Sequence, residues 1–199
     1  MNYAIYNRTS GEIIQTCLAD SVDSLSHLIN STQNAIECPE DLNNSKYYVD
    51  VDTETFVEFP PKPQTWYTWN WTSHSWEDPR TLQNYQDIKW EEIKRSRDAA
   101  INAPLTTPYG VFDADPSSRA NIANAVLYLQ TLEQQGTPGT IDWTLADNTT
   151  ITLNYQEMSQ VGLLLGQRTN AAYDTARALR TQIYAATTIA EVEAIHWPT

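Results

Sequence analysis

The sequence predicts an α+β chain, with small strands gathered towards the amino terminus and helices towards the carboxy terminus. Three observations carry this. Up to residue 59 the apolar residues come in short runs divided by turn-forming residues. From Leu82 onward they recur at helical spacing. Between the two textures stands Pro60-Pro61-Lys62-Pro63, a stretch that cannot continue a sheet ladder and favours an extended spacer. The expected division is therefore residues 1–59 as a small α+β docking unit, 60–80 as a proline spacer with an aromatic hairpin, and 81–199 as a helical domain with a small antiparallel sheet.

In the first unit, Tyr3-Ala4-Ile5-Tyr6 and Ile13-Ile14-Gln15-Thr16-Cys17 flank Thr9-Ser10-Gly11, a hairpin signal with a glycine able to take positive φ. Asp20 or Ser21 is placed to cap a short helix with the stripe Val22, Leu25, Leu28 and Ile29. Tyr47–Val51 and Thr55–Phe59 then read as two strands joined at Asp52-Thr53-Glu54. Four strands and one helix make one small sheet with a single covered face. A unit of that size buries little surface, so it is expected to lean on a partner or a second copy.

Past the prolines, Trp66, Tyr67, Trp69, Trp71 and Trp76 crowd into residues 66–76. A short hairpin here puts Trp69 and Trp71 on one face with Tyr67 beside them. Two readings stay open: a mini-core of large rings in a segment too short for a layered one, or a contact surface for protein or carbohydrate. These five residues are the candidate partner-binding set.

The helical part opens at residues 83–102, with Trp90, Ile93, Ala100 and Ile101 along one side and opposite charges four apart at Glu91–Arg95 and Lys94–Asp98. Pro104 ends it. Asp115-Pro116 starts a second helix with an Asp cap and Pro at its first position; its stripe is Ile122, Ala125, Val126, Leu129 and Leu132, and Gly136 closes it. Residues 140–144 and 149–153 bracket Leu145-Ala146-Asp147-Asn148 as a third hairpin, to which Tyr109–Phe112 can add a strand. Asn154 and Glu157 form a capping-box pair for a helix to about Ala185, striped by Met158, Val161, Leu165, Ala172, Ala176, Leu179 and Ile183. That spacing is close to a heptad, which favours self-association. Thr188 with Glu191 starts a last short helix before Pro198. No internal repeat is apparent.

Composition narrows the function classes. The chain has 199 residues and a formal charge of −13, the opposite of what a phosphate-backbone binder needs. Nucleic acid and anionic membrane are excluded as expected partners, and no apolar run approaches a bilayer span. The first residues lack a basic then apolar leader, so no secretory signal is expected. Cys17 and Cys38 are the two cysteines; both fall in strand-like stretches, and the pattern leaves open buried thiols in a reducing compartment or a disulfide. Five Asn-x-Ser/Thr triplets, at Asn7, Asn30, Asn43, Asn70 and Asn148, follow from composition.

Little points to catalysis. His27, His74 and His196 are scattered, and no nucleophile–base, phosphate-loop or zinc motif is present. Asp113, Asp115, Asp142, Asp147 and Asn148 could converge on a hard cation if the hairpins adjoin, or form a carboxylate pair for sugar hydrolysis. Helix capping and turn formation account for them more simply. No catalytic residue, cofactor or metal is therefore assigned.

The ordered motifs Trp90-x-x-Ile93-Lys94-x-x-Arg97-Asp98, Tyr109-Gly110-Val111-Phe112-Asp113-x-Asp115-Pro116-x-Ser118, Ile141-Asp142-Trp143-Thr144-x-Ala146-Asp147-Asn148-x-Thr150 and Ala185-Ala186-Thr187-Thr188 resemble a domain of unknown function typical of bacteriophage tail-fibre and tail-assembly proteins, over residues 88–195. Tyr47-Tyr48-Val49-Asp50, the proline run and the Trp69–Arg80 segment resemble the amino-terminal part of small tail-fibre-associated proteins. The resemblance implies no catalytic residue. It implies a structural connector at the tail fibre or baseplate, present in the virion after assembly in the host cytoplasm, homo-oligomeric and bound to fibre or baseplate proteins. A fibre-assembly chaperone and a carbohydrate-binding fibre-tip protein are the alternatives. It also implies that Gly110–Asp113 pairs with Asp142-Trp143, with Trp143 packed under the helices.

Overall fold

The computed structural model describes residues 1–198, and they fall into two compact units that divide between Pro79 and Arg80. The chain is α+β: small sheets and hairpins in the first unit, helices with β-hairpins in the second.

The first unit centres on a three-stranded antiparallel sheet of order β2-β1-β3, with β1 Asn2–Asn7, β2 Ile13–Leu18 and β3 Gln33–Glu37. Strand β1 is paired along both edges and is also buried on both faces. Ala4 and Tyr6 join Ile13, Cys38 and Val49 in one core, while Tyr3 and Ile5 are buried on the other side. Strands β4 Tyr47–Asp50 and β5 Thr55–Glu58 form a separate two-stranded ribbon, so the single four-stranded sheet expected from the sequence does not form. Strand β3, from thirty residues along the chain, takes the place beside β1. The helix expected after Asp20 is also absent; only a 3-10 turn, Asp23–Leu25, occurs there. Ser21 and Ser24 exchange side-chain-to-backbone hydrogen bonds, and such local bonding competes with helix continuation. Of the expected stripe only Leu25 is buried.

Three hairpins of this unit share one turn. Asn7 Oδ1 accepts from the N–H groups of Thr9 and Ser10, Asp50 Oδ1 from Asp52 and Thr53, and Asn70 Oδ1 from Thr72 and Ser73, all at 2.8–3.2 Å. In each the fourth residue after the Asx has positive φ: Gly11 (73°), Glu54 (52°) and His74 (47°). The repeat unseen in the sequence is thus one of turn chemistry, with Asn exchanging for Asp and Ser for Thr. Four of the five Asn-x-Ser/Thr triplets are Asx turns, since Asn30 and Asn43 accept likewise from Thr32 and Ser45.

These bonds, led by the Thr53 N–H, hold the Asp50 carboxyl below its ordinary value. A carboxylate lowered in the folded state adds stability that is complete above its unfolded pKa and is lost as pH falls through the folded one. Asp50→Asn keeps the acceptor, as Asn7 and Asn70 already do. It is expected to fold normally at neutral pH and to flatten the loss of first-unit stability below about pH 4, measured by tryptophan near-UV dichroism against temperature.

Helices dominate the second unit: α1 Leu82–Asn102, α2 Pro116–Gln134, α3 Tyr155–Ala185 and α4 Ile189–Glu193. Their starts follow the expected caps, with capping boxes Thr81–Asn84, Asn154–Glu157 and Thr188–Glu191 and the Asp115 cap before Pro116. All seven stripe residues of α3 are buried. The first three join α2 and the hairpins in one core, and the last three join Ile93 of α1 in another. The stripe is therefore covered within the unit and is not the seam of a coiled coil. The α1 ion pairs are Lys89–Glu92, Lys94–Glu91 and Arg97–Asp98; the Arg95 side chain turns instead to the Glu91 carbonyl at 3.4 Å.

Strands β8 Leu105–Thr107 and β9 Gly110–Phe112 pair with each other, as do β10 Thr140–Thr144 and β11 Thr150–Asn154. The expected pairing of Gly110–Asp113 with Asp142-Trp143 does not occur, because Leu105–Thr107 is nearer along the chain and closes the tighter hairpin. The hairpins touch through the Ala146 N–H and the Val111 carbonyl, 2.9 Å apart. Trp143 does pack on the core, its ring 6.0 Å from that of Phe112.

Candidate functional site

The aromatic hairpin is built on β6 Thr68–Asn70 and β7 Ser75–Glu77, with Trp69 directly opposite Trp76. Alternation puts Trp71 on the Trp69 side, and the two rings meet edge to face at 6.3 Å. Trp69 is the hub: its ring lies 4.8 Å from Phe59, 5.2 Å from Trp76 and 5.6 Å from Tyr48. His74, at the tip of the turn, stacks on Tyr48 at 4.8 Å and sets its Nε2 3.2 Å from the Ser10 carbonyl. The hairpin is thereby joined to the first turn of the same unit. The proline run is engaged as well: the Trp76 indole N–H donates to the Pro60 carbonyl at 2.7 Å, and Lys62 lies over the Trp76 ring.

Of the five candidate residues, the structure brings Trp69, Trp71 and Trp76 together as half-buried cluster members. Tyr67 precedes β6 and, among the described residues, makes no ring contact to them, while Trp66 is 44% exposed. These positions give the residues different physical parts. Trp69→Ala is expected to cost the first unit about 2 kcal/mol through lost ring packing, whereas Trp66→Ala should cost about 1 kcal/mol or less. Urea unfolding followed by tryptophan fluorescence separates the two.

The scattered polar residues resolve into local duties. His27 and His196 are exposed. Asp115 caps α2 and is lowered chiefly by the Ser118 hydroxyl and N–H; Asp147 is lowered chiefly by the Thr149 hydroxyl, in the turn where Asn148 takes φ 64°. Asp142 accepts from the Thr152 hydroxyl at 2.7 Å. Among the described residues, no three His, Cys, Asp or Glu side chains are placed to hold a metal ion, and no helix is long and apolar enough to cross a membrane. Both thiols are free. Strand β1 separates β2, which carries Cys17, from the segment carrying Cys38. Two strand spacings, about 10 Å, exceed a disulfide's reach. Burial pushes the Cys38 thiol up, with Cys17 and Glu37 adding to it.

Sequence reasoning missed Arg168. Its guanidinium donates to the Ile101 carbonyl at 2.8 Å and the Pro104 carbonyl at 3.1 Å, at the end of α1 where carbonyls lack helical partners. Burial and the neighbouring Arg119 lower its pKa. No periodicity signals such a contact, since it joins positions more than sixty residues apart. Arg168→Met is expected to destabilise the second unit by about 2 kcal/mol, measured by helical dichroism in urea. Gln86 works similarly, buried on α1 and donating to the Ala186 carbonyl after α3.

Residues 84–196, more than half of the chain, match the family model of a domain of unknown function, DUF4376. No curated protein and no solved structure matches the chain. The matched span begins inside α1 and ends beyond α4.

Proposed function

The chain belongs to the DUF4376 family, and from that premise we propose that it is a non-catalytic connector of a bacteriophage tail, seated at the fibre or baseplate. The reading draws its phage setting from the resemblance over residues 88–195 and the looser one around Tyr47–Arg80. The observation that carries the connector role is that two units fold around separate cores and each still presents large apolar side chains. Leu18 and Trp66 are 79% and 44% exposed in the first; Leu127 and Leu163 are 62% and 60% exposed in the second. Large apolar and aromatic side chains of this kind supply the anchors of a protein contact when a partner covers them. Trp66 is the member of the aromatic set assigned to a partner.

Mass spectrometry of purified particles tests the proposal. A connector persists in fixed stoichiometry with fibre or baseplate proteins, and Trp66→Ala lowers its incorporation although it costs the first unit little stability. Presence during assembly and absence from the finished particle would replace the connector with an assembly chaperone.

A further inference from the structure

In the second unit, α2 and β10 enclose a shallow groove of about 310 Å³ lined by Asn121, Asn124, Ala125, Tyr128, Ile141 and Trp143. Asn121, Asn124 and Tyr128 follow one another at three- and four-residue spacing, so they form a single ridge along α2. Ile141 and Trp143 alternate onto the facing side of β10. Tyr128 is 55% exposed. Asn121 and Asn124 are exposed beside it, and Trp143 is half-buried.

We propose that this groove binds a neutral saccharide. Its chemistry matches a sugar ring: Tyr128 and Trp143 offer aromatic surface to the C–H face, and two amides offer donors and acceptors to vicinal hydroxyls. No charged side chain lines the groove, and the chain as a whole carries −13; a phosphorylated or uronic-acid ligand would meet repulsion with no cation to offset it. An apolar helix from a partner would cover the amides and leave them unpaired, each at a cost of about 1–3 kcal/mol. A ligand carrying both ring faces and hydroxyls satisfies the whole lining. This inference does not rest on the connector role.

Calorimetric titration of the full chain with maltohexaose, cellohexaose and mannohexaose, and with trigalacturonate as the charged comparison, decides it. Saturable binding of at least one neutral oligomer is expected, weakened about tenfold or more by Asn124→Ala and by Tyr128→Ala. Both are exposed positions, and their helical dichroism and melting should match the parent. The proposal is overturned if no neutral oligomer binds at concentrations up to about 10 mM, if binding survives both substitutions unchanged, or if trigalacturonate binds as well as the neutral sugars. A concentration-dependent dimer abolished by Tyr128→Ala would overturn it too, by giving the groove to a second copy.

Discussion

Replacing Gly11 by alanine is expected to unfold the first unit while the helical signal of the second persists. Two effects combine at this position. Its φ of 73° lies in the left-handed region, which costs a side-chain-bearing residue about 1–2 kcal/mol. A Cβ there would also collide with the carbonyl oxygen of Val49, and that atom belongs to the backbone and cannot swing aside. The Gly11 carbonyl meanwhile accepts from the Val49 N–H at 2.9 Å, the bond that ties the first hairpin to β4. Displacing one contact breaks the other, for an expected total above about 3 kcal/mol. Gly136 is the control. It has a similar φ of 71° with nothing within 4 Å of an added Cβ, so Gly136→Ala should cost only the conformational part. Loss of near-UV tryptophan dichroism in the Gly11 variant alone, with 222 nm ellipticity retained, is the expected pattern. A Gly11 variant as stable as the Gly136 variant would show that the hairpin can move off β4 freely.

The second large effect is expected at Phe112, the bulkiest fully buried side chain among the described residues. It ends β9 and reaches the core shared by Ile122, Leu129, Met158 and Val161. Phe112→Ala should destabilise the second unit by about 3–5 kcal/mol, since the cavity is hemmed by helices that cannot close over it. Phe112→Leu, which restores most of the volume, should cost about 1.5 kcal/mol. Chemical denaturation read by helical ellipticity gives both values. Equal costs for Ala and Leu would mean that the core collapses around the gap.

How far the sequence discloses these features depends on the distance over which each is decided. The helices are set by their own residues, so the Asn154–Glu157 box and the seven-residue stripe of α3 were legible, and all seven are buried. Strand partners are chosen at long range: nothing local tells β1 to pair with Gln33–Glu37, or Gly110–Phe112 to choose Leu105–Thr107. The segment after Asp20 had a helical apolar pattern, but Ser21 and Ser24 diverted its backbone bonds. The aromatic set was legible as a group, yet which ring is hub and which is exposed depends on Tyr48 and Phe59 arriving from the preceding ribbon. Asn121 and Asn124 carried no signal at all, because an amide on a helix face means little until β10 lies beside it.

The sheet order β2-β1-β3 has a kinetic consequence. The β1–β2 hairpin closes over a five-residue loop, a microsecond event that its own Asx turn promotes. The opposite edge of β1 must wait until Gln33–Glu37 has been synthesised and has travelled back. During that interval a strand destined for burial on both faces has an open edge, the state in which chains pair with the wrong neighbour. Nascent chains whose β1–β2 hairpin has emerged while Gln33–Glu37 is still inside the ribosome should therefore recruit chaperones most strongly, and that demand should fall once β3 has left the ribosome.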